Sequence, residues 1–234
     1  MKAKTEDLIY EALSTSLLTG QLQPGTQLVE TRIANIFGVS RERVRKVLQR
    51  LGHERLIEVI AHRGAFVSHP SLSQAREIYE ARRIIEGGVA SRLAGRLTPA
   101  QVEQLRVHSA HEIDAIRRGD RALSIQLSSR FHHLLATFCA NPFVTRELEE
   151  LVSRILMLEA FFVAEPGAAS QCSCDEHRDI VDALIDGDTA RAVKSMHVHL
   201  SMIETRLQPE MFVRPAVDPD VVLQRAWDKV KSLR

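Results

Sequence analysis

The sequence predicts a mainly α-helical protein: an N-terminal winged helix-turn-helix followed by an all-α antiparallel helical bundle. Three observations support this fold class. Residues 1–70 show the periodicity of short helices together with the signal of a β-hairpin. A polar linker lies at residues 68–74. After the linker, only the periodicity of helices continues. We therefore expect a winged helix-turn-helix domain over residues 1–70, a helical domain over 71–208 and a tail over 209–234 with one more helix.

Each N-terminal element has its own local signal. Pro24-Gly25 marks a turn after the first helix, Gly38 ends the second, and Ser40 is a suitable N-cap for the third. A turn at Arg63-Gly64 separates two short strand patterns. The predicted elements are helices over 5–19 and 30–37, a third from Arg41, and strands over 56–60 and 65–68.

The third helix carries an apolar face and a basic face together. Residues 1–70 hold ten Lys or Arg and seven Asp or Glu, whereas the remainder holds 21 and 23. The excess positive charge lies in the stretch from Arg41 to Arg55, which has six basic side chains. An ordinary solvated helix face is one interpretation; a nucleic-acid contact surface is the other.

The rest of the chain reads as helices with short breaks. They are predicted over residues 72–97, 99–118, 120–139, 143–164, 175–186 and 188–207, and the tail helix holds the only tryptophan, Trp227. No run approaches 18 apolar residues and the N-terminus lacks a signal-peptide core, so we expect a cytoplasmic protein without membrane spans. Cys172 and Cys174 lie shortly before His177; two loop thiols are favoured over a thiolate–metal or redox site.

The N-terminal motifs resemble the DNA-binding domain of GntR-type bacterial transcription regulators. The matching pieces are Pro24-Gly25, "GVSR" at residues 38–41, Val44-Arg45, and "RGAFV" at residues 63–67. The family usually reads "SRTPVREAL" where this chain reads "SRERVRKVL". The resemblance implies a homodimer on a palindromic operator in double-stranded DNA. The DNA contacts that it implies are Thr31, Arg32, Ser40, Arg41, Arg43, Arg45, Arg63 and Gly64.

The second domain resembles the FCD effector domain of one GntR subfamily, of the FadR type. The matching pieces are "EARRIIEGGVASRLAGR", "FHHLLATFCAN", "EHRDIVDALIDGD" and "MHVHL". This resemblance implies a divalent metal ion, most simply Zn or Ni, with His132, His177 and His199 as ligands. Ser128 stands where an acidic fourth ligand is usual. Helical periodicity allows the three imidazoles to converge, but three separate structural histidines are the alternative.

Arg82 falls inside an apolar stripe of its predicted helix. A buried charge is costly unless it is paired, so an internal salt bridge to Glu86 is one interpretation. The other is a clamp for the carboxylate of a small organic acid, the effector class that the family resemblance implies. We expect a ligand-responsive transcription regulator and not an enzyme; a metal-dependent hydrolase using the histidines is the alternative, as is binding of RNA or a protein by the basic domain.

Overall fold

The computed structural model describes residues 5–69, 71–162, 166–207 and 217–232. Within helices, the side chains of residues 121, 122, 160 and 166–174 lie outside this description. The fold is mainly helical, with one small sheet near the N-terminus. In the described part of the chain, no helix is long and apolar enough to cross a membrane.

The N-terminal half is a winged helix-turn-helix. Its elements are α1 (Thr5–Leu18), β1 (Gln27–Leu28), α2 (Glu30–Phe37), α3 (Arg41–His53), β2 (Ile57–Ile60) and β3 (Gly64–Val67). The sheet is antiparallel with strand order β1-β3-β2, and Gln27 pairs with Phe66. The sequence predicted the β2–β3 hairpin but missed β1, which is only two residues long.

Gly38 makes the tight turn between α2 and α3. Its φ of 64° is left-handed, and its backbone N–H caps the end of α2. A left-handed residue is favourable for glycine and costly for most others, so this position determines how the two helices meet. On α3, Val44, Val47 and Leu51 are buried, which leaves the charged side chains outside, as the sequence predicts.

Six helices follow the sheet, after a short 3-10 turn at Leu72–Gln74. They are α4 (Ala75–Leu93), α5 (Pro99–Arg117), α6 (Arg121–Phe138), α7 (Pro142–Phe162), α8 (Pro166–Asp186) and α9 (Thr189–Thr205). The predicted start of α8 at residue 175 is wrong, because the helix already begins at Pro166. Proline is well tolerated at the first position of a helix, where its missing N–H leaves no hydrogen bond unmade.

A last helix, α10 (Pro219–Ser232), follows at the C-terminal side. It packs against α1 and α2 rather than against the helical bundle. Within the bundle, α4 lies along α9, while α5 contacts both α6 and α8. Since α1 also contacts α6 and α7, the two halves of the chain are packed together in this structure.

Candidate metal centre and DNA-binding surface

Three buried histidines from three helices meet inside the bundle. His132 is on α6, His177 on α8 and His199 on α9. The Nε2 atom of His199 lies 3.0 Å from that of His177 and 3.2 Å from that of His132. One ring nitrogen from each residue can therefore face a common point, and the three atoms lie within 4.8 Å of one another.

Each of these histidines has a glutamate on its other ring nitrogen. His177 Nδ1 lies 3.0 Å from Glu112 of α5, and His199 Nδ1 lies 2.7 Å from Glu176 of α8. His132 Nδ1 is hydrogen-bonded to Glu86 of α4. Histidine ligands of metal ions commonly donate their second N–H to a carboxylate in this way, which fixes the ring and makes it more basic.

The protons on these rings follow from their partners. A carboxylate accepts only, so each Nδ1 carries the hydrogen and donates it, and each Nε2 is left as a lone pair. Burial lowers the pKa of His132 to about 4 and places that of His199 well below its ordinary value, so both rings are neutral at pH 7. The three Nε2 atoms are therefore placed as electron-pair donors toward a common point, an arrangement that suits a cation.

The spacing of the three nitrogens suits a metal ion. Tetrahedral Zn²⁺ with Zn–N bonds of about 2.0–2.1 Å separates two ligand nitrogens by about 3.3 Å. The two measured separations, 3.0 and 3.2 Å, are close to this value. The Phe131 ring stacks on His177 at a centroid distance of 4.0 Å and helps to hold its orientation. The donor set therefore fits a divalent ion such as Zn²⁺ or Ni²⁺.

Arg82 lies next to this centre and is as buried as the histidines. Its Nε donates to Glu86 Oε1 at 2.7 Å, so Glu86 binds Arg82 and His132 at once. Burial acts to raise the pKa of Glu86, but these two neighbours outweigh it and lower the pKa to about 2. The salt-bridge interpretation of Arg82 is thus observed, yet its Nη2 is buried without a hydrogen-bond partner among the described residues.

The glutamates are the part of this site that the sequence reasoning missed. The sequence predicts Glu86 only as the partner of Arg82, and no local pattern marks Glu112 or Glu176 as partners of the histidines. Glu176 directly precedes His177 in sequence, but their partners differ, because Glu176 binds His199. Ser128, the doubtful fourth ligand, is half-buried one turn before His132. The side chains of Cys172 and Cys174 lie outside the described residues.

On the DNA-binding half, the structure gathers several of the predicted contact residues around one shallow pocket. Thr31, Arg41, Arg45 and Gly64 all line it. Glu30 holds the two arginines: Arg45 donates to it through Nε at 2.9 Å and Nη2 at 2.8 Å, and Arg41 lies at 3.5 Å. The start of α2, the start of α3 and the wing thus line one surface, where two arginines and one glutamate leave a net positive charge.

The other predicted contact residues are placed differently. Arg43 pairs with Glu6 of α1 at 3.6 Å, and Arg32 pairs with Asp220 of α10 at 3.4 Å. Arg63 lies in the wing turn with its guanidinium 5.8 Å from the centroid of the Phe66 ring. Ser40 is the N-cap residue of α3, as the sequence predicts: its backbone carbonyl accepts from Arg43 and Val44, although its side chain makes no cap hydrogen bond.

A winged helix-turn-helix with a basic surface, joined to a helical domain with a buried histidine centre, defines a class of DNA-binding regulators. The comparisons with known proteins agree. Residues 5–67 match the bacterial regulatory proteins of the gntR family, and residues 77–202 match the FCD domain. The chain belongs to the GntR family of transcription regulators, in its FCD-containing branch. Members of this family regulate transcription and are not enzymes.

Named relatives point to the same family. The chain is 30% identical over 198 residues to the HTH-type transcriptional repressor RspR of Escherichia coli K12, covering 83% of this chain and 85% of that protein. It is 27% identical to the regulator LutR of Bacillus subtilis, covering 79% and 93%. Among solved structures, a GntR regulator from Rhodococcus sp. RHA1 superposes with a TM-score of 0.68 at 21% identity, covering 86% and 95%. Escherichia coli McbR/YncC gives a TM-score of 0.67 at 20% identity, with the same coverage.

Proposed function

We propose that the protein is a cytoplasmic, ligand-responsive transcription regulator that binds a palindromic operator as a homodimer. A small organic acid, bound in the metal-containing helical domain, changes its affinity for DNA. The single observation that supports this most strongly is the histidine centre beside Arg82, because it combines a cation site with a buried guanidinium. The residues that we propose to contact DNA lie on α2, on α3 and in the wing.

In this proposal His132, His177 and His199 hold the divalent ion. When bound, the ion supplies a positive centre that neutral imidazoles alone do not provide. The three glutamates hold the rings in place, and their negative charges offset part of the ion's charge. Ser128 is a poor donor compared with an acidic residue, so a water molecule or a ligand oxygen would complete the coordination of the ion.

Two buried polar atoms support an anionic effector next to the ion. Arg82 Nη2 and the Tyr79 hydroxyl are both buried and have no hydrogen-bond partner among the described residues. They are neighbours on α4, with the Arg82 guanidinium carbon 5.6 Å from the centroid of the Tyr79 ring. Burying donors without partners is costly, and a carboxylate that accepts from both would remove that cost.

The outer groove between α4 and α9 supports the dimer. Ile84 is 72% exposed there, and it shares the groove with Gly87, Gly88 and Val193. Gly87 is already packed against the His197 ring, but Gly88 has open space on its outer side, so another helix can approach closely there. A second copy of the same face is the occupant we propose, because a two-fold dimer uses one self-complementary patch and matches a palindromic operator.

A metal-dependent hydrolase, the alternative considered from the sequence, is not supported. Family membership indicates regulation of transcription. All three glutamates near the histidines are engaged by an imidazole Nδ1, so none of them is placed as a free general base beside the ion. The histidine centre is thus better suited to binding than to hydrolysis.

The experiment screens small organic acids by thermal shift on the zinc-loaded chain and then measures DNA affinity with each acid that binds. Arg82→Gln should abolish the acid response because it removes the guanidinium. Arg83→Gln is the matched control: the adjacent arginine is half-buried and pairs with Glu204 instead. We expect acids that stabilise the wild-type chain to change its DNA affinity by about 5–150-fold, the usual range of such coupling.

Two results would count against the proposal. One is a wild-type chain that holds no metal after purification with or without added Zn²⁺. The other is an acid response that survives unchanged in Arg82→Gln. In either case the histidine centre and Arg82 would be parts of the core, and the effector would bind elsewhere.

A further inference from the structure

The C-terminal helix α10 packs on the DNA-binding half of the chain, although it follows the whole helical bundle in sequence. Its buried residues share one hydrophobic core with α1 and α2. These residues are Val222, Leu223, Trp227 and Val230. Since the two family matches cover residues 5–67 and 77–202, neither of them assigns a role to α10.

Trp227 contacts the turn of the helix-turn-helix. Its ring stacks on Phe37 with a centroid distance of 4.5 Å and an interplanar angle of 12°. Phe37 is the last residue of α2 and directly precedes Gly38, where the chain turns toward α3. Both rings are almost fully buried, at 2% and 3% exposure. The stack therefore holds α2 at the end where its angle to α3 is set.

A second contact lies nearer the other end of α2. Arg32 and Asp220 pair at 3.4 Å, and both side chains are exposed, so the pair contributes little energy. The pair shows that the two helices point in the same direction. The start of α10 lies beside the start of α2, and Trp227 lies beside the end of α2. The two helices are therefore side by side over most of the length of α2.

We propose that α10 is a further helix of the DNA-binding domain and that Trp227 is a positioning residue for DNA binding. Arg41 and Arg45 follow Phe37 closely on α3, so a change of angle at the turn moves both guanidinium groups. Base contacts tolerate displacements of only about 0.5 Å or 10–20°. A packed aromatic pair supplies that rigidity, because it has few rotamers and a large contact area.

The test compares full-length variants at position 227. The probe is a duplex selected by the wild-type protein from a random-sequence library. Trp227→Ala should bind this duplex about tenfold or more weakly, whereas Trp227→Phe, which keeps an aromatic stack, should stay within about threefold. Val221→Ala is the matched control, since Val221 is on the same helix but 40% exposed. Zinc content, read from the distant histidine centre, should be unchanged in all three.

A second variant covers the case in which Trp227→Ala does not fold. Phe37→Leu keeps an apolar side chain, although a smaller one, and removes the stack. Because Trp227 is the only tryptophan, its fluorescence shows directly whether α10 has left the surface of α2. Wild-type DNA affinity in a folded Trp227→Ala chain would overturn the proposal, as would wild-type affinity in Phe37→Leu with a solvent-exposed tryptophan spectrum. Loss of DNA binding together with loss of zinc in Phe37→Leu as well would also overturn it, since the stack would then stabilise the whole fold and not the angle of the turn.

Discussion

The imidazole of His177 and the carboxylate of Glu112 form a buried pair, with Nδ1 only 3.0 Å from Oε1. The two residues come from α8 and α5 and are 65 positions apart in sequence. Because the carboxylate accepts a hydrogen bond, the pair places the proton of His177 on Nδ1. The other ring nitrogen, Nε2, then faces His199. Replacing Glu112 therefore tests the centre while all three proposed ligands stay unchanged.

Glu112→Gln should weaken zinc binding by about 10–100-fold, the usual cost of losing a carboxylate behind a histidine ligand. The amide keeps the shape but removes the charge that makes the ring more basic. Competition with a fluorescent zinc chelator measures the change. Glu103→Gln, an exposed position on the same helix, is the control and should match the wild type. Equal zinc affinity in both variants would show that Glu112 does not contribute to zinc binding.

His199→Ala should abolish stoichiometric zinc binding, and His197→Ala should not. His199 is fully buried in the centre, whereas the His197 side chain contacts the backbone carbonyl of Arg83 on the protein surface. Zinc should raise the melting temperature of the wild type, since a ligand at 100 times its Kd stabilises the native state by about 2.7 kcal/mol. This stabilisation should be absent in His199→Ala. A zinc shift that persists there would place the ion elsewhere.

Arg45→Ala should weaken binding to the selected duplex by about 1–3 kcal/mol, as expected for a lost base-edge contact. Arg45 lines the basic pocket near the start of α3. Arg50→Ala is the control on the same helix, because Arg50 packs over the Tyr10 ring and pairs with Glu54. Fluorescence anisotropy at fixed salt gives both affinities. If the two variants lose affinity equally, Arg45 acts through net charge and not through base recognition.

Gly38→Ala should lower the free energy of unfolding by about 1–2 kcal/mol, the usual cost of a left-handed residue with a Cβ. An added Cβ at this position meets nothing within 4 Å, so the cost is one of backbone conformation and not of a clash. Gly38→Asn should lose less, since asparagine accepts left-handed backbone more readily. Urea unfolding gives the ranking; equal stability of the alanine variant would contradict the geometry of this turn.

Ile84→Glu should turn the dimer into a monomer at micromolar concentration. It places a charge on the most exposed large apolar side chain of the described residues, at the proposed interface between two copies. Val59→Glu, an exposed position on the wing, should leave the dimer intact. Sedimentation velocity distinguishes the two species. A monomeric wild type, or a dimeric Ile84→Glu, would remove the α4–α9 groove as the dimer face.

Local patterns in the sequence predict most of the helices and strands of the fold. The helical periods and the breaks between them place nine of the ten described helices to within a few residues, because an amphipathic period is a property of neighbouring positions. Strand β1 was missed because two residues cannot show an alternation. The start of α8 was misplaced because the stretch around Pro166 and Gly167 reads as a break, although proline fits the first position of a helix.

The candidate site was predictable only in part. The periodicity and the family resemblance bring His132, His177 and His199 to one place, but a helical period gives a face and not the partner that a side chain meets. The carboxylates of Glu112 and Glu176 come from packing between helices, and so does the stack of Trp227 on Phe37. Such contacts depend on how whole helices lie against each other, which single-sequence patterns do not encode.

The position of α10 also affects how the chain folds during its synthesis. The ribosome makes the helix-turn-helix first, but Trp227 is added only after every helix of the FCD domain has been made. During synthesis Phe37 therefore lacks its stacking partner, and that ring stays uncovered while the bundle emerges. If α10 does position the turn, a nascent chain cannot hold its recognition helix firmly until the helices that carry the three histidines have been synthesised.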